Sequence, residues 1–157
     1  MTIWTRLLRW FFVVALTIYV GGFTFYSVVV IPILHDRLES AFLAGLVTQR
    51  VTDALNLLGV ATLSLGWCVY CVRAMNRLRG NLLSHWDFWP LMISSIGLVV
   101  LLMLHRLLDR KLETGTLAGF YPYHRAYLWV STVQWFANLA LLTQSTGAFT
   151  PTPESRR

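Results

Sequence analysis

The segment from Gly119 to Leu139 is apolar overall, yet it carries a regular set of polar side chains. They recur at intervals of three, four, three and four residues: His124, Tyr127, Ser131, Gln134 and Asn138. This spacing places them on one face of a helix, and we call them the polar stripe. Such amides and hydroxyls can bond to neighbouring helices, or they can line a pocket for a ligand, an ion or a lipid head group. The sequence leaves both interpretations open.

A second set of candidate residues is ionisable or lies beside ionisable groups at the borders of the apolar segments. Ionisable side chains near membrane depth are functional candidates and usually have a partner. We expect Asp53 to pair with Arg106 or Arg125. Together with part of the stripe, the predicted polar site consists of Asp53, Asn56, His105, Arg106, His124, Arg125, Ser131, Gln134 and Asn138.

Three of the histidines raise the question of a metal. Imidazole groups such as those of His35, His105 and His124 suit zinc, copper and haem iron. These residues lie on separate segments, however, and the sequence has no H-E-x-x-H motif or other close ligand pair. Hydrogen bonding is the favoured interpretation, no cofactor is predicted, and haem or metal binding is kept as an alternative.

Signatures of catalysis are missing from the sequence. It contains no G-x-S-x-G motif and no glycine-rich phosphate loop. Cys68 and Cys71 form a C-x-x-C pair, but there is no second pair to complete a zinc site. We interpret both cysteines as ordinary small buried side chains. An enzymatic function is not expected.

The composition limits the class of protein. Of the 157 residues, 56% are hydrophobic and 13% are charged, whereas soluble domains are about 25% charged. A chain this small cannot enclose so many apolar side chains, so part of its surface must face lipid. The net charge of +6 does not indicate nucleic-acid binding, because the arginines lie at the edges of apolar runs. The predicted partner is a lipid bilayer.

Four apolar segments are long enough to cross a bilayer, and in lipid they must be helical. They cover about residues 10–34, 54–74, 88–106 and 126–144. The predicted fold class is all-α, an integral membrane four-helix bundle in a single domain of residues 1–145. The first segment is too long for the apolar region of a signal peptide. Residues 146–157 form a polar tail that we expect to be disordered.

Two of these helices should extend beyond their apolar segments. Apolar residues recur at helical spacing from Ser40 to Gly59, so the second helix should begin before its span. The pattern from His105 to Glu113 is amphipathic, so the third helix should continue past its span.

The topology of four spans has consequences for both orientation and site. The termini and the middle loop share one side, which carries seven of the 13 Lys and Arg residues. We therefore expect a protein of the cell membrane with cytoplasmic N- and C-termini. The opposite face should collect one polar layer, made of His35, Arg50, Asp53, Asn56, His105, Arg106, Asp109, His124 and Arg125.

Three segments carry a family resemblance. They are YVGGFTFYSVVVIPIL from Tyr19, AGLVTQRVTDALNLLG from Ala44 and YHRAYLWVSTVQWFANLALL from Tyr123. This pattern resembles the uncharacterised four-helix membrane proteins similar to transmembrane protein 205. The resemblance implies a multi-pass membrane fold without an established biochemical activity. The glycine-rich first helix is distantly similar to copper-resistance membrane proteins of the D type, which keeps metal handling open.

These observations lead to one expected function and two alternatives. We expect a non-enzymatic multi-pass membrane protein with a structural, accessory or partner-binding role. Its protein partner would be another membrane protein or a second copy of the chain. The first alternative is a small transporter or ligand-binding bundle that uses the polar layer at one membrane face. The second is haem or metal binding through the histidines.

Overall fold

The computed structural model describes residues 3–38, 41–75, 88–113 and 120–147, and these residues are helical almost throughout. The described residues form four long helical rods, so the predicted all-α fold class is confirmed. The first rod contains α1, a π-helical turn and α2; the other rods are α3, α4 and α5. Their bounds are Ile3–Phe25 (α1), Tyr26–Val30 (π turn), Ile31–Arg37 (α2), Ala41–Met75 (α3), Phe88–Glu113 (α4) and Phe120–Gly147 (α5).

The π-helical turn lies directly before Pro32. Proline has no backbone N–H and its ring crowds the preceding turn, so it cannot continue a regular α-helical ladder. The Ile31 N–H bonds to the Tyr26 carbonyl, five residues back. The wider turn absorbs the disturbance, and the rod continues to Arg37.

The four rods form an antiparallel ring. The α4–α5 hairpin has the most extensive contact, and α1 packs on α3. Contacts of α3 with α4 and of α1 with α5 close the ring. This is the arrangement of an up-and-down four-helix bundle, in which each rod has two neighbours and one inward face.

The apolar core occupies the half of the bundle where α1 begins. Phe12 of α1 packs beside Gly66 of α3 and near Leu91 of α4. The buried core residues are Phe12, Leu16, Val20, Leu63, Val69, Leu91, Leu98 and Leu141. Closely packed apolar side chains therefore fill most of this half of the interior.

Three of the helical rods that the structure describes are long and apolar enough to cross a membrane: Ile3–Arg37, Leu43–Met75 and Phe88–Lys111. The rod α5 is not among them, since the amides and hydroxyls in its sequence lower its hydropathy. The fourth span therefore stays a prediction.

The outward surface of the rods is rich in large apolar side chains. On α1, for example, Trp10 and Phe11 are 61% and 67% exposed. Cys68 and Cys71 also lie on the outside of α3, so the expectation that they are buried is wrong. Both belong to the surface that neighbouring rods leave uncovered.

The helix ends match the expected extensions. The rod α3 begins at Ala41, well before its predicted span, and α4 continues to Glu113. The rod α5 runs to Gly147, so it includes the first residues of the segment predicted as a tail. The rest of that segment lies outside the described residues.

Candidate functional site

One imidazole joins two carboxylates at the end of the bundle where α3 begins. The Nε2 atom of His105 lies 2.8 Å from Oδ1 of Asp53 and 3.5 Å from Oδ2 of Asp109. The His105 side chain is only 11% exposed, whereas that of Asp53 is 53% exposed. The contact therefore links a buried imidazole on α4 to a carboxylate that reaches the surface.

Two tyrosines complete this end of the interior. The Tyr127 ring of α5 lies 6.5 Å from the His105 ring, centroid to centroid. The Tyr26 hydroxyl lies 3.3 Å from the Thr48 carbonyl and 3.4 Å from the Thr52 hydroxyl of α3. Because these groups lie at one depth and come from every rod, we call Tyr26, Asp53, His105, Asp109 and Tyr127 the acidic layer.

The expected partner of Asp53 was wrong. Among the described residues Asp53 pairs with His105, while Arg106 and Arg125 are exposed. Successive residues of a helix point about 100° apart, so with His105 inward the next side chain must turn outward. The prediction placed Asp53 at the correct end of the bundle but gave it the wrong partner.

A second polar group lies deeper, around Gln134 of α5. Its Nε2 donates a hydrogen bond to the Ser94 carbonyl of α4 over 3.3 Å. The Tyr19 hydroxyl of α1 is within hydrogen-bonding reach of the same side chain. Gly97 allows this approach, because a Cβ there would lie 3.2 Å from the Gln134 Cβ. One buried amide thus connects three rods.

A small cavity opens between α1 and α5 beside this amide. It has room for about one water molecule. It is lined by Tyr19, Val20, Phe23, Ser131, Gln134, Trp135 and Asn138. The polar side chains of α5 therefore face a small, partly open space as well as neighbouring helices.

Several buried polar atoms in this part of the interior have no hydrogen-bond partner among the described residues. They include Nδ2 of Asn56, Oγ1 of Thr62, Oγ of Ser94 and Oδ1 of Asn138. Each unsatisfied buried group costs about 1–3 kcal/mol. Several such groups lower the stability of the bundle, and apolar side chains packed between the helices would not have this effect.

The polar stripe is only partly internal. Ser131, Gln134 and Asn138 are buried, as a stripe facing the bundle requires, but His124 is exposed. Partial burial lowers the pKa of His124 below its ordinary value of 6.5, and the charge of nearby His35 lowers it further. The stripe therefore begins outside the bundle and enters it at Tyr127.

The three histidines considered as metal ligands have other surroundings. His105 contacts carboxylates, and Nδ1 of His35 lies 2.9 Å from the carbonyl of Ile31 in its own helix. No group of three His, Cys, Asp or Glu side chains within the described ranges is arranged to hold a metal ion.

Sequence reasoning missed an interhelical contact at the opposite end of the bundle. Arg9 of α1 is 7% exposed, and its guanidinium donates a 2.7 Å hydrogen bond to the Ser145 carbonyl in the last turn of α5. Such carbonyls have no partner within their own helix. From the sequence, Arg9 was interpreted only as a residue at the border of an apolar segment. Because α5 ends at the same side of the bundle, its last carbonyls could have suggested a hydrogen-bonding role for Arg9.

Comparison with known protein families, with curated proteins and with solved structures finds no match for this chain. The resemblance to proteins similar to transmembrane protein 205 therefore stays a prediction. The candidate function depends on the geometry of the bundle.

Proposed function

We propose that this chain is a multi-pass integral membrane protein whose four rods cross the bilayer as one bundle. Three rods have the necessary length and apolar composition, and large apolar side chains cover their outward surfaces. The rod α5 can join them because Ser131, Gln134 and Asn138 turn away from the lipid. Burying polar side chains between helices is how such a helix is accommodated in hydrocarbon.

Within that membrane protein, the proposed role is to bind a small polar ligand that enters from one membrane face. The observation that carries this proposal is the division of the interior. The acidic layer and the buried amides of Asn56, Gln134 and Asn138 lie toward one end, whereas the main apolar cluster, with Phe12, Leu63 and Leu141, lies toward the other. A bundle interior that is polar toward one end suits binding from that end better than passage across the membrane.

A purely structural or accessory role is the competing interpretation. It assigns the buried amides to helix association, where each contact contributes about 0.6 kcal/mol. The Gln134 to Ser94 bond fits that role. The unpaired atoms of Asn56, Thr62 and Asn138 do not, because a side chain retained for association needs a partner on the next helix. Ligand binding accounts for both sets of groups.

The proposed location is the cell membrane, with cytoplasmic termini. The acidic layer then faces the opposite side, because α3 begins and α4 ends there. Single cysteines at Asp36 and at Arg6, both exposed, would test this in a variant lacking Cys68 and Cys71. An impermeant thiol reagent applied to intact cells should label the first and spare the second.

Ligand binding is tested by purifying the protein from its native membrane and identifying bound small molecules by mass spectrometry. A ligand should accompany the wild-type protein and Thr132→Val, whose altered side chain is exposed. It should be lost from Asn56→Leu, which replaces a buried amide beside the acidic layer by an apolar side chain of similar volume. If no small molecule accompanies the wild-type protein above the level found with Asn56→Leu, the binding role is contradicted.

A further inference from the structure

The side-chain amide oxygen of Asn138 is buried without a hydrogen-bond partner among the described residues. The residue is 3% exposed, and its side chain lines the cavity between α1 and α5. An amide oxygen isolated in this way would carry the full desolvation cost. The group that satisfies it must be a hydrogen-bond donor inside the cavity.

The cavity walls define the chemistry of that donor. The polar side chains lining it belong to Tyr19, Ser131, Gln134 and Asn138, and none of the lining residues is charged. An ion there would lose its hydration without meeting an opposite charge. The occupant is therefore neutral, and the size of the space limits it to about one water molecule.

The lining groups also supply the partners that an internal water needs. Buried waters make about three hydrogen bonds. Asn138 offers its Oδ1, and Tyr19 offers a hydroxyl. The Ser131 hydroxyl donates to the Leu128 carbonyl over 2.9 Å, which leaves its oxygen lone pairs free to accept.

Polar side chains continue from this cavity toward the acidic layer. Tyr127 lies on α5 between the two, seven residues before Gln134 at the cavity, and its ring centroid is 6.5 Å from that of His105 in the acidic layer. Tyr19 and Tyr26 are seven residues apart on one rod, about 10 Å at 1.5 Å per residue. Toward the other end, Leu16 and Leu141 are 0% and 3% exposed and belong to the apolar core.

We propose that the cavity holds one exchangeable water molecule, which donates to Oδ1 of Asn138 and reaches solvent through the acidic layer but not through the apolar core. This inference rests on the proposed function, because it identifies water as the smallest polar ligand that enters the bundle. It also makes the water a bridge between α1 and α5.

Solid-state NMR of the full chain in lipid nanodiscs tests the proposal, with magnetisation transferred from water protons to ¹³C-labelled Asn, Asp, Ser and Leu side chains. Transfer should reach the Asn138 carbonyl carbon and the Ser131 side chain nearly as fast as Asp53. It should reach Leu16 and Leu141 much more slowly. In Asn138→Leu the transfer to Ser131 should be lost, while in Thr132→Val and in Asn138→Ser, which keeps a polar group, it should persist.

Two outcomes would overturn the proposal. The first is a wild-type Asn138 that receives no transfer in a sample where Asp53 does. The second is transfer that reaches Leu141 as fast as Asn138, which would mean that the apolar half is not closed. A dry cavity in a protein that still co-purifies with a ligand would remove the water site and leave the proposed binding role intact.

Discussion

The Nε2 atom of His105 lies 2.8 Å from Oδ1 of Asp53, and this contact joins α4 to α3 at the end of the bundle. The two residues are 52 positions apart in the sequence. The imidazole is buried, whereas the carboxylate is half exposed to the surroundings. The pair therefore links α3 to α4, and we call it the His105–Asp53 contact. It also lies at the proposed entrance to the polar interior.

Replacing Asp53 by Asn should weaken the His105–Asp53 contact. The variant keeps the shape of the side chain but removes the charge that faces the imidazole. Because Asp53 is more than half exposed, the expected loss is small, about 0.5–1 kcal/mol of unfolding free energy. A double-mutant cycle with His105→Gln, measured by denaturation in detergent micelles, should find most of that loss as coupling between the two positions.

Asp36→Asn is the matched control for this experiment. Asp36 lies at the same end of the bundle and contacts Arg37 at 3.8 Å, but both side chains are more than 80% exposed. The control should leave stability unchanged, since such exposed pairs contribute almost nothing. The stabilising role of the His105–Asp53 contact would be contradicted if Asp53→Asn and Asp36→Asn changed the unfolding free energy equally. It would also be contradicted if the effects of Asp53→Asn and His105→Gln were additive.

Much of the architecture could be predicted from local pattern. Long apolar runs specify helices, and the helical spacing of apolar residues placed the start of α3 and the continuation of α4 correctly. Antiparallel connectivity alone assigned Asp53 and His105 to the same end of the bundle. The inward direction of Ser131, Gln134 and Asn138 followed from their spacing.

The partners of these residues could not be predicted, because they depend on rotations of whole rods. A rotation of one residue on α4 would exchange His105 for Arg106 as the side chain facing Asp53. Likewise, the cysteines of α3 lie outward because Gly66, Thr62 and Leu63 occupy the inward face. Such rotations are settled by how side chains of different rods fit together, which single-sequence patterns do not contain.

Gly66 should resist even the addition of one methyl group. A Cβ there would lie 2.8 Å from Cε2 of Phe12 and 3.1 Å from Cδ1 of Leu91, and both side chains are almost fully buried. Neither can move aside without disturbing the core, so Gly66→Ala should destabilise the bundle by about 1–3 kcal/mol despite its better helix propensity. Thermal denaturation in detergent would measure the effect.

Gly45 on the same rod provides the comparison for Gly66. A Cβ at Gly45 would meet nothing within 4 Å. Gly45→Ala should therefore be neutral or should stabilise α3 by up to about 1 kcal/mol, the helix-propensity difference between the two residues. A Gly66→Ala variant as stable as Gly45→Ala would show that α1 and α3 approach less closely at Phe12.

Arg9→Gln should loosen the end of α5. The change removes a charged donor from the Ser145 carbonyl, which lies 2.7 Å from the guanidinium in a largely buried setting. Hydrogen bonds that involve a charged group contribute about 1.5–3 kcal/mol. Hydrogen exchange of the last turn of α5 should become faster in Arg9→Gln and remain unchanged in Arg6→Gln, since Arg6 is exposed. Equal protection in both variants would show that Arg9 does not hold that helix end.

His124 should make the folded protein less stable in mild acid. Partial burial, followed by the charge of His35, lowers the pKa of His124 below 6.5, so the unfolded chain takes up this proton at a higher pH than the folded one. Its contribution is most favourable above about pH 6.5 and is lost as the pH falls toward the lowered pKa. His124→Asn should remove this part of the pH dependence of the thermal midpoint, and His35→Asn should remove a smaller part. An NMR titration in which His124 protonates at or above its ordinary pKa would contradict the prediction.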